Sequence, residues 1–100
     1  MTQATTPTFI LTLPNSVDLS EAANVYFTLK QNNVEIEKKT SDLVIEGQTV
    51  SVFLSQLDTL PLTAGTAQVQ LNWTYENGSR ACSNIVSVKV TENLLKAVVE

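Results

Sequence analysis

The sequence predicts an all-β protein, an antiparallel sandwich of about seven short strands. Three observations carry this prediction. Apolar and polar residues alternate with period two in run after run, the pattern of strands with one buried face. Turn-forming residues interrupt these runs every 8–12 residues or so. No stretch repeats its apolar residues at the spacing of a long amphipathic helix.

The elements follow in order. Residues 1–7 are polar and read as a flexible arm. Residues 8–13 alternate, with Phe9, Leu11 and Leu13 on one face. Pro14-Asn15-Ser16 ends that strand, because Pro offers no amide to a ladder and Asn and Ser favour turns. Residues 24–30 place Val25, Phe27 and Leu29 inward and Tyr26, Thr28 and Lys30 outward. A short turn at Gln31-Asn32-Asn33 leads into 34–38, with Val34 and Ile36 inward, so the two runs form a hairpin. A short strand and a Gly turn occupy 42–49. Residues 50–54 put Val50, Val52 and Leu54 on one face. Residues 55–62 lose the alternation and read as a crossover or one helical turn, with Leu57, Leu60 and Leu62 plugging an open end of the core.

The clearest strand is 67–75. Ala67, Val69, Leu71, Trp73 and Tyr75 share one face, and Gln68, Gln70, Asn72 and Thr74 share the other. Asn77-Gly78 predicts a type I′ turn, whose two central residues both need positive φ. The return strand spans 80–90, with disturbed alternation at Ala81-Cys82-Ser83-Asn84 that marks a bulge. Thr91 is positioned to cap a short helix over 94–99. The expected organisation is therefore an arm (1–7), a sandwich domain of immunoglobulin-like type (8–91) and a helical or apolar tail (92–100).

Composition narrows the function. The chain has 100 residues, no His, one Cys and a formal net charge of −4. The usual general base and the commonest metal ligand are missing, and a single Cys builds no thiolate zinc site. Cys82 lacks the neighbouring His that activates a catalytic thiol and reads as a small half-buried strand residue. Glu35 and Glu37 share the polar face of one strand and read as solvated edge charges. The reading is non-enzymatic, with no catalytic, cofactor or metal residues. An acidic chain has no electrostatic footprint for nucleic acid. No apolar run approaches the ~20 residues of a membrane span, so no membrane insertion is expected. The start of the chain has neither a basic segment nor an apolar run of signal-peptide type, which predicts synthesis in the cytoplasm.

The remaining candidates are contact residues. Gln68, Gln70, Asn72 and Thr74 form an uncharged hydrogen-bonding column, and charged residues are depleted in interface cores. Tyr26 lies on the outward face of its own strand. Leu94, Leu95, Val98 and Val99 make an apolar terminus that packs on its own domain or on a neighbour. Charged residues are only 16% of the chain, below the globular average of about 25%.

Several segments together carry a family resemblance. They are the opening Pro7-Thr8-Phe9-Ile10-Leu11-Thr12-Leu13-Pro14, the strand Val25-Tyr26-Phe27-Thr28-Leu29-Lys30-Gln31, the run Leu57-Asp58-Thr59-Leu60, Ala64-Gly65, and Ser83-Asn84-Ile85-Val86-Ser87-Val88-Lys89-Val90 with Leu94-Leu95. The chain resembles small structural proteins of tailed phages and prophages of Gram-positive bacteria. It is similar to the N-terminal immunoglobulin-like domain of phage baseplate upper proteins. The resemblance implies an assembly module in the virion tail or baseplate, contacting other tail proteins. A homo-oligomer is also expected. The alternative expectation is a carbohydrate-binding module for cell-surface or cell-wall glycans. It calls for a row of exposed aromatics, and Phe9, Phe27 and Trp73 are expected inside.

Overall fold

A computed structural model describes residues 1–14, 17, 19–95 and 99. The strands are β1 (Thr8–Thr12), β2 (Ala22–Gln31), β3 (Val34–Lys39), β4 (Leu43–Glu46), β5 (Thr49–Phe53), β6 (Gly65–Tyr75), β7 (Arg80–Cys82) and β8 (Val86–Val90), and a single helical turn, α1 (Gln56–Thr59), follows β5. One sheet has the order β1-β5-β4; the other has the order β3-β2-β6, with both β7 and β8 on the far side of β6. All these pairings are antiparallel. With β7 and β8 taken as one interrupted strand, the order is that of an immunoglobulin sandwich, strands B-E-D facing C′-C-F-G. The fold is an all-β, immunoglobulin-like sandwich.

The inward sets meet between the sheets. Val25, Phe27 and Leu29 of β2 and Ala67, Val69, Leu71 and Trp73 of β6 face Val50 and Val52 of β5, and all are buried. Phe9 of β1 meets Phe27 of β2 with ring centroids 5.8 Å apart, an aromatic contact that joins the two layers. Apolar burial across this seam is the main stabilising term.

The interruption between β7 and β8 is the expected bulge. Val69 pairs with Val86 and Asn72 with Cys82, so Gln70 and Leu71 face three residues, Ser83, Asn84 and Ile85. The Leu71 amide donates to Ser83 Oγ and the Ser83 amide to the Leu71 carbonyl, both at 2.9 Å. The extra residue is therefore held by a side chain that stands in for the ladder.

Five expectations are corrected. Residues 1–7 are not a loose arm: Thr2 pairs in parallel with Thr91, the Gln3 amide donates to the Thr91 carbonyl, and Gln3 and Ala4 are buried. Leu57 does not plug the core. It is 70% exposed, and Leu62 takes that place at 0%, because α1 turns Leu57 outward. The Asn77-Gly78 turn is not type I′. Positive φ occurs at Gly78 (87°) and not at Asn77. The Tyr75 amide donates to the Ser79 carbonyl and the Gly78 amide to the Tyr75 carbonyl, so the loop has three residues and needs one left-handed position. Leu94, Leu95 and Val99 are not helical; the rest of that predicted helix, including Val98, lies outside the described residues. Cys82 is exposed rather than half-buried, because it sits on the outward face opposite Asn72.

Candidate protein-contact surfaces

The sandwich presents two outer faces. On the five-stranded sheet, the predicted column stands in register with its neighbours. Tyr26 lies between Lys39 and Asn72, Thr28 between Glu37 and Gln70, and Lys30 between Glu35 and Gln68. The structure thus brings Tyr26, Gln68, Gln70, Asn72 and Thr74 onto one surface. Part of its hydrogen-bonding capacity is used internally. Arg80 Nη2 donates to Asn72 Oδ1 at 3.0 Å, and Gln70 Nε2 donates to the Ser83 carbonyl at 2.9 Å. Flanking strands add Glu35, Glu37, Lys39, Arg80 and Lys89, so the face is charged at its margins although its central column is not.

Val99 of the apolar terminus is held at α1. The Gln56 side-chain amide of α1 grips the backbone of Val99, with Nε2 donating to its carbonyl and Oε1 accepting from its amide, both at 2.8 Å. Leu94, Leu95 and Val99 are exposed, and Val98 is not among the described residues.

The second outer face belongs to β1, β5 and β4. Its outward positions are Thr8, Ile10 and Thr12, then Thr49, Ser51 and Phe53, then Val44 and Glu46. Ser51 pairs with both Ile10 and Val44, and Phe53 pairs with Thr8. Ile10 is 67% exposed, Phe53 57% and Val44 46%. Diagonal neighbours on a sheet face lie within about 7–8 Å, inside the reach of such side chains. Glu46 is the one charged residue among these positions. The signal for this patch is present in the sequence as three contiguous apolar runs, Phe9-Ile10-Leu11, Leu43-Val44-Ile45 and Val52-Phe53-Leu54. In each, an apolar residue takes a place that period-two alternation assigns to a polar one.

Between the edges of β1 and β7 the layers part into a groove of about 550 Å³, lined chiefly by apolar residues such as Leu11, Leu13, Val17, Leu71, Trp73 and Val86. A shallower depression of about 400 Å³ on the five-stranded face is bordered by Tyr26, Thr28, Glu37, Asn72, Thr74 and Arg80. Among the described residues no cluster of His, Cys, Asp or Glu could hold a metal ion, and no helix is long and apolar enough to cross a membrane.

Asp58 has the one resolved shift among the titratable groups described. Partial burial disfavours its charge. Hydrogen bonds from the Ser55 amide and from Lys38 outweigh that effect and hold its carboxyl below the ordinary value of 3.8. Lys38 Nζ lies 2.9 Å from Asp58 Oδ2. Ser55 Oγ accepts from the Asp58 amide, which completes a capping box at the start of α1. This is a structural ion pair that ties β3 to α1. No family model, curated protein or solved structure matches the chain.

Proposed function

We propose that the chain is a non-enzymatic structural module of a phage tail or baseplate, working through protein–protein contacts in the virion. The observation that carries this reading is the outer face of β1, β5 and β4. Ile10, Val44 and Phe53 stand exposed there on one face of the sheet with one charge beside them. Interface cores are depleted in charge and enriched in aromatic and apolar residues, and a clustered exposed apolar patch marks an interaction site. The family resemblance of the sequence supplies the setting.

The test is composition of particles. Purified phage or induced prophage particles from the source bacterium should contain this chain at a fixed copy number, with no hydrolytic turnover by the isolated protein. A chain confined to the cell lysate and missing from particles would overturn the reading.

The carbohydrate alternative has one observation in its favour, the convergence of Tyr26, Arg80, Asn72 and Glu37 on one shallow depression. A single half-exposed ring gives a sugar one stacking partner rather than a row, with Trp73 buried at 3% exposure. Glycan-array binding that disappears in Tyr26→Ala would establish it.

A further inference from the structure

We propose that a second copy of this chain pairs with the free edge of β1, antiparallel, about a two-fold axis at Ile10. The inference deepens the assembly reading by naming one partner. β1 is a terminal strand of its sheet. The Leu54 amide donates to the Pro7 carbonyl and the Leu13 amide to the Gln48 carbonyl, so the odd-numbered residues of this segment bond toward β5. Antiparallel alternation then turns the backbone amides and carbonyls of Thr8, Ile10 and Thr12 away from β5, onto the open edge. The side chains of all three are exposed.

The charge pattern selects the edge, and the symmetry of Thr8 and Thr12 about Ile10 suits it to a copy of itself. In a two-fold contact the residue on the axis meets itself and every other residue meets its symmetry mate. β3 carries Glu35, Glu37, Lys38 and Lys39; Lys38 has the inward phase of Val34 and Ile36 and is bonded to Asp58. Charged and inward-pointing residues of this kind protect an edge strand from pairing. β4 carries Glu46, β7 Arg80 and β8 Lys89. β1 reads Thr-Phe-Ile-Leu-Thr and is the one sheet edge among the described residues with no charge on it.

The register follows. Ile10 is the middle residue of β1, so Ile10 sits opposite Ile10 of the second copy and Thr8 opposite Thr12. Each is a hydrogen-bonded pair, about six bonds in all. The two three-stranded sheets become one sheet of six strands. With the axis normal to that sheet, both Ile10–Phe53–Val44 patches lie on the same side and form a continuous apolar surface.

The experiment uses the full purified chain in a Cys82→Ser background, so that no thiol links the copies. Light-scattering mass over a range of concentrations should show a dimer. Ile10→Lys, at an exposed site, should give a monomer that still unfolds in one cooperative transition, and Thr12→Lys should repeat the result if the first variant folds poorly. Ile10→Cys should cross-link under mild oxidation, because Cα atoms of a hydrogen-bonded pair lie about 5.5 Å apart, within disulfide reach. Phe53→Cys, one strand further in, should not. A monomer at every concentration, or a dimer that survives both lysine variants, overturns the pairing. Either result concerns the chain alone, so the particle test of the assembly reading stands separately.

Discussion

The indole N–H of Trp73 donates to the hydroxyl of Tyr75, two residues along the same face of β6, at 2.9 Å. Trp73 is almost fully buried, and a buried indole needs an acceptor. β6 thus carries both the largest side chain of the core and the group that satisfies it. Tyr75→Phe removes the acceptor and keeps the ring, leaving a buried donor unpaired. The expected loss is about 1–2 kcal/mol, read as a lower urea midpoint with an unchanged slope.

The N-terminal segment should contribute to stability rather than hang free. Thr59 is fully buried, and its Oγ1 donates to the Thr5 carbonyl at 2.7 Å. Gln3 Nε2 donates to the Leu60 carbonyl. Removal of residues 1–5 breaks these bonds and the bridge from Thr2 to Thr91. A loss of about 2 kcal/mol, or roughly 8 °C or more in Tm, is expected by calorimetry. An unchanged melt would contradict the packing described.

The Asp58 pair sets an acid-side dependence. A carboxylate whose folded pKa is lowered adds stability that is fully present above its unfolded value, near 3.9, and is lost as pH falls through the folded value. Stability should therefore drop below about pH 4 in the native chain. Asp58→Asn should flatten that part of the profile and cost up to about 1 kcal/mol at pH 7, since an ion pair that water still reaches is weak.

Gly78 holds φ at 87° with open space where a Cβ would stand. Gly78→Ala therefore meets backbone strain and no clash. The expected penalty is about 1 kcal/mol, measured by chemical unfolding. Asn77→Ala should cost less than about 1 kcal/mol, because its Oδ1 only supports the Ser79 amide and hydroxyl in an exposed loop.

Much of the layer pattern was legible residue by residue. Strict alternation along 67–75 identifies β6, its buried face and its polar column, and irregularity at 81–84 identifies the bulge. What local pattern could not supply depends on distant partners. Thr2 is anchored by Thr91, 89 positions on, and nothing within 1–7 signals it. The choice between a two- and a three-residue loop at Asn77-Gly78 rests on where Tyr75 and Ser79 meet, which strand twist decides. Leu57 and Leu62 look alike in composition and separate only when α1 takes its orientation. The candidate column was placed correctly on one face. The stronger candidate, Ile10 with Val44 and Phe53, was visible as an apolar residue out of phase in each of three strands. Its importance emerges only when β5 brings the three runs side by side.

On the proposed function, the outer face of β1, β5 and β4, with Glu46 as its one charge, is covered in a virion. The most direct test is competitive incorporation into particles. Native chain and Phe53→Lys, co-expressed at equal levels during particle production, are counted by mass spectrometry in purified particles. Phe53→Lys should keep its fold, within about 0.5 kcal/mol of the native stability as expected for an exposed site, yet be depleted in particles at least tenfold. Equal incorporation of the two chains would contradict the account.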